Sequence, residues 1–149
     1  MQFQGSGFSV ELDAGVLDVS GYAFSYPKLG DFPPNITLRF ERGADADMAE
    51  RLQAFHEKLP AYPNAQLRAE PQVARRGDWE YFAFVLEFGG EDGDARLVQK
   101  EIQIRVAEPV PTVYIITGTD LVGNFPRFEA TYDAFVRSFQ PNDVQRLNR

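Results

Sequence analysis

The sequence predicts an α+β domain: a mainly antiparallel, twisted sheet of six to seven strands, with two helices on one face. Three observations carry this reading. Seven short stretches read as strands, several of them with apolar residues alternating at period two; the period changes to helical spacing in only two places; and Gly, Pro and Asp clusters separate the stretches. The order, strands, helix, strands, helix, lacks the regular β–α alternation of a parallel sheet.

Gly7 to Leu12 alternates and ends at Asp13-Ala14-Gly15, a first strand and turn. Asp18 to Tyr26 alternates again, with Ser20, Tyr22, Phe24 and Tyr26 opposite Val19, Gly21, Ala23 and Ser25. The Pro33-Pro34 pair makes the next stretch a loop. Asn35 to Arg42 is a third strand, with Ile36, Leu38 and Phe40 opposite Thr37, Arg39 and Glu41. Met48, Leu52, Phe55 and Leu59 then recur at helical spacing; Asp45 or Asp47 caps the helix and Pro60 stops it. Gln66 to Ala74 reads as a short strand interrupted by Pro71.

Trp79 to Phe88 is the central strand, because both of its faces are apolar: Phe82, Phe84, Leu86 and Phe88 on one, Trp79, Tyr81, Ala83 and Val85 on the other. Gly89 to Asp94 is a hairpin tip. Arg96 to Glu108 and Thr112 to Thr119 are the last strands. Asn124 caps a closing helix whose stripe is Phe128, Tyr132, Phe135, Val136 and Phe139.

Pairing the helix stripes with the bulky strand sets, Phe82, Phe84 and Leu86 among them, leaves an opposite, uncovered face. It holds Val19, Gly21, Ala23, Thr37, Arg39, Tyr81, Ala83, Val85, Gln99, Glu101 and Gln103. These residues are the candidate binding surface, with small groups centrally and polar groups around them.

Composition narrows the function. The 149 residues fit a single domain, 1–149, with 44% hydrophobic and 25% charged residues. A net charge of −7 and no basic cluster argue against nucleic acid and anionic lipid as partners. The absence of cysteine removes disulfides and thiolate chemistry. No signal peptide or membrane-spanning run is present in the sequence, so the expected location is cytoplasmic, without membrane insertion. His56 is alone on its helix, the Glu91–Asp94 carboxylates lack a calcium-loop glutamate, and no serine lies in a nucleophile elbow. The expectation is a non-enzymatic protein without metal or cofactor.

The Gly7-Phe-Ser-Val-Glu-Leu opening, Asn35-Ile-Thr-Leu with Arg42, Leu59-Pro60, Gln99-Lys-Glu101, Val113-Tyr-Ile-Ile-Thr117 and the closing Phe135 with Ser138-Phe139 resemble the DcrB-like domain family. The resemblance implies a PsbP/Mog1-like fold. Stand-alone members of this size resemble the Eag chaperones of type VI secretion. Such a likeness implies a homodimer that shields the apolar N-terminal transmembrane segment of an effector on a concave sheet face and aids its loading onto the spike protein. Two alternatives stand beside it: a structural or regulatory domain without a client, and a small-molecule binder.

Overall fold

The computed structural model describes residues 2–5, 8–11, 21–29, 32–43, 47–90, 96–108 and 110–141. In chain order the strands are β1 (Gln2–Gly5), β2 (Phe8–Glu11), β3 (Gly21–Ser25), β4 (Asn35–Arg42), β5 (Gln66–Leu67), β6 (Ala74–Arg76), β7 (Trp79–Gly89), β8 (Arg96–Val106) and β9 (Thr112–Leu121). The helices are α1 (Met48–Lys58) and α2 (Phe125–Ser138). β1 and β2 form their own two-stranded ladder. The others form a seven-stranded sheet of order β3-β4-β9-β8-β7-β5, with β6 also on β7, and every pairing is antiparallel. The fold is α+β, as the periodicity predicts. β1 precedes the first strand read from the sequence, and the 66–74 stretch forms two short strands on β7 rather than one. Val19 and the 91–94 turn lie outside the described residues.

Local chemistry sets the boundaries. Asp47 caps α1, its Oδ1 accepting from the Glu50 amide at 2.8 Å, and Pro60 converts the helix end into a 3₁₀ turn, Leu59–Ala61. Asn64, at φ 53°, donates through Nδ2 to the Gly89 carbonyl at 2.9 Å, and the Gly89 amide donates to Pro63 at 2.8 Å. This ties the connector after α1 to the end of β7. Asn124 stands at the N-cap of α2 without a side-chain capping bond; its carbonyl accepts from the Arg127 amide at 3.1 Å. That position therefore differs from the expected side-chain cap.

The helices do not share a face. Cross-strand partners point the same way, and in the β7–β8 hairpin Phe82 pairs with Gln103, Phe84 with Glu101, and Ala83 with Ile102. The set Phe82, Phe84 and Leu86 thus lies with Gln99, Glu101 and Gln103, and, across β9 and β4, with Val113, Ile115, Thr117, Thr37 and Arg39. α1 packs on this side, where Met48, Phe82, Phe84, Leu86, Val113 and Ile115 form a buried cluster joined by Leu52 and Phe55. The Phe55 and Phe84 rings stack with centroids 4.0 Å apart.

α2 covers the other side. Ile36, Val98, Ile116, Phe125, Phe128 and Tyr132 are its core, with Leu38, Val85, Ile102 and Phe135 packed around. Tyr132 donates to the Ile116 carbonyl at 2.9 Å, and burial holds its phenol well above the usual range. A Cβ built on Gly118 would lie 2.5 Å from Tyr132 Cδ2, so only glycine allows the helix this close. The sheet is therefore clad by one helix per face. The expectation of two helices on one face is corrected, because the β7–β8 register turns Phe82, Phe84 and Leu86 away from Ile102 and Ile104.

Candidate functional site

α1 lies over the end of its face where β7, β8 and β9 meet Met48 and Phe55, and it leaves the β3–β4 side open. A groove of about 580 Å³ occupies that remainder, lined by Gly21, Tyr22, Ala23, Thr37, Arg39, Tyr62, Gln99, Glu101 and Thr117. The expected surface residues Gly21, Ala23, Thr37, Arg39, Gln99 and Glu101 are thus brought together. Small side chains on the outer strand β3 make one wall, and amides and hydroxyls of β4, β8 and β9 make the floor.

Gln103 is on the same face but sits at the junction with α1, where it accepts from Arg51 Nε at 2.9 Å and donates through Nε2 to Glu101 Oε2 at 3.0 Å. Tyr81, Ala83 and Val85 are not in the groove. They face the α2 side, and Val85 is part of the α2 core. Assigning them to the open face is corrected by the same register that separates the helices. Tyr62 and Thr117, absent from the sequence-based set, do line the groove. Thr117 has a readable signal, a polar residue directly after the apolar run Val113–Ile116, whereas Tyr62 arrives from a connector with no period to reveal it.

The floor is a hydrogen-bonded relay. Thr117 Oγ1 donates to Glu101 Oε1 at 2.7 Å, Gln103 links Glu101 to Arg51, and Arg51 Nη1 pairs with Glu41 Oε2 at 2.8 Å. Arg51 thereby holds α1 to β4 and β8, in a half-buried setting where charge-assisted bonds are stronger than at the surface. Two charges expected on the face are thus separated by role: Glu41 is consumed by Arg51, while Arg39 stands exposed at the groove rim.

On the opposite face Lys100 bridges Glu129 (3.0 Å) and Asp133 (2.8 Å) of α2. Burial pulls its pKa down, but the bonds to Asp133 and Glu129 outweigh that and leave it raised. His56 lies between the Leu52 carbonyl and Glu70 and does not line the groove. Among the described residues no group of three or more metal-binding side chains converges, and no helix is long and apolar enough to cross a membrane.

No protein-family model matches the sequence, and no curated protein matches it significantly. Solved structures do resemble it. PA94 from Pseudomonas aeruginosa, a protein of unknown function described as a candidate regulator, superposes with a TM-score of 0.68 at 17% identity, covering 95% of this chain and 96% of that one. LpqN of Mycobacterium tuberculosis, involved in cell envelope biogenesis, superposes at 0.54 with 14% identity over 68% of this chain and 58% of its own. At such identities the likeness is one of fold: an α+β protein built on an antiparallel sheet, carrying here an open groove beside α1.

Proposed function

We propose that this protein is a non-enzymatic, cytoplasmic chaperone or adaptor of the DcrB-like class, similar to the Eag chaperones. It holds the apolar N-terminal segment of a type VI secretion effector in the groove beside α1 and delivers it toward the spike protein. The observation that supports this most is the groove itself: Gly21 and Ala23 allow close approach of a helix backbone, while Thr37 and Gln99 offer side-chain hydrogen bonds beneath it. An apolar helix left in water costs roughly 25 cal/mol for each Å² exposed, so even partial cover stabilises a client substantially.

Size bears on stoichiometry. A helix about 10 Å across rising 1.5 Å per residue fills the 580 Å³ groove with about five residues. One copy covers a fraction of a membrane span, which fits a homodimer presenting two such surfaces. Static light scattering at micromolar concentration checks this, with a dimer mass expected.

The direct test is co-expression with an effector's N-terminal segment fused to a soluble carrier. A stable complex on gel filtration supports the reading; a segment that stays soluble alone and never co-elutes counts against it. A second reading, a small polar ligand seated on the Glu101 relay, is favoured by the polar floor and a volume usual for ligand sites.

A further inference from the structure

The glutamates of the sheet are not equivalent. Glu41 pairs with Arg51, Glu80 with Arg75, and Glu87 with Arg68 and Arg96. Glu101 is the exception among the described sheet glutamates: its two oxygens accept from the neutral donors Thr117 Oγ1 and Gln103 Nε2, and no cation among the described residues pairs with it. A carboxylate offers about four acceptor positions, so two bonds from the sheet orient the group and leave acceptor capacity unused. The group is half-buried on the groove floor, where screening by salt and water is weaker than at the surface.

We propose that Glu101 is a specificity-determining residue, and that the segment the groove selects carries a cation, a Lys or Arg side chain, facing the floor. The proposal rests on the groove's holding an apolar segment and adds what sets that segment's register. An ammonium or guanidinium carried by an otherwise apolar helix is costly to leave unpaired when covered, and Glu101 meets it with a preoriented, charge-assisted bond. Arg39 sharpens the choice. It lies exposed on the rim, on β4, and disfavours a cation there, so the positive group is driven to the β8 side.

The test uses the full chain and a soluble carrier fused to a segment of about 20 Ala and Leu residues, with Lys, Met or Glu at its central position. The expected result is binding of the Lys segment about tenfold or more tightly than the Met segment, with the Glu segment weakest. Glu101→Gln should erase the difference between the Lys and Met segments. Melting curves of the variant, and of Thr117→Val, which frees Glu101 Oε1 without removing the charge, separate selectivity from folding: Thr117→Val should keep the Lys preference. Equal binding of the Lys and Met segments by the wild type overturns the role of Glu101 and leaves the groove reading standing. Binding of none of the three overturns both.

Discussion

The two faces of the sheet are built to different standards. Under α2 the packing is close: Phe125 and Phe128 are fully buried, Tyr132 is pinned to the Ile116 carbonyl, and Gly118 leaves no room for a methyl group. Under α1 the same sheet is divided. One half is apolar, with Phe82, Phe84 and Leu86 packed with Phe55; the other is a polar floor that α1 touches through Arg51 at its border and leaves open as a groove. The difference assigns labour, because a helix packed closely on the sheet stabilises it, whereas a face left half polar and uncovered offers a surface to be used. The stable face allows the other to carry groups that a core would exclude.

Substitutions on the two faces should separate accordingly. The largest effect is expected from Phe128→Ala, which opens a cavity under α2 and should cost about 3–5 kcal/mol in denaturant unfolding. Gly118→Ala comes next. Its new methyl group meets a Tyr132 ring that its hydrogen bond and burial hold in place, so a loss of about 1–3 kcal/mol is expected. Gly123→Ala, with no atom within 4 Å of its would-be Cβ, is the matched control and should be near neutral.

Asp120 gives a smaller effect of opposite sign. It is fully buried opposite Val98, its Oδ1 accepts from the Leu121 amide at 2.7 Å, and its Oδ2 has no partner among the described residues. Burial raises its pKa, with the Leu121 bond opposing. A carboxyl raised in the fold binds protons that the unfolded chain has released, so its contribution to stability falls as pH rises from the ordinary carboxylate value through the raised one. Asp120→Asn should therefore raise the melting temperature by a few degrees at neutral pH, the gain fading in acid once the aspartate is itself protonated. An equal gain at all pH values would point to packing instead of charge.

The smallest effect on stability, and the largest on binding, is expected from Ala23→Arg. Ala23 is exposed on β3 at the groove wall, so unfolding should change by no more than about 0.5 kcal/mol. Complex formation with an apolar segment should be lost, because the guanidinium fills the groove. If the protein instead melts much earlier, the wall is part of the core and the contrast between the faces fails.

Much of this was legible in the residues. β4, β7, β8, β9 and both helices fall within a few positions of where periodicity, Asp47 and the prolines place them. Half of the candidate surface was legible too, since β3, β4 and β8 contribute the sets that their alternation predicts. What did not follow was how β7 is turned. Its two faces are both apolar, so hydrophobic pattern alone does not choose between Phe82 and Tyr81 as the partner of Gln103. In such a strand a shift of one residue exchanges the faces, and only the register decides. β3, β4 and β8, each with one face bulkier, carry no such ambiguity against one another. Placing β7 by bulk reversed it, and that error put both helices on one side.

That register has a consequence for how such a protein can vary over evolutionary time. Surface turns usually accept insertions and deletions freely. The connection of Gly90 to Ala95 between β7 and β8 stands under a parity rule. Gaining or losing two residues there, even when absorbed as a register slip, keeps Phe84 on the face of Gln99, Glu101 and Gln103. A single-residue change absorbed as a register slip would present Tyr81, Ala83 and Val85 to α1 and send Phe82, Phe84 and Leu86 to α2. Relatives that keep this architecture are thus expected to differ in that turn by even numbers, or to carry a compensating bulge in one of the two strands.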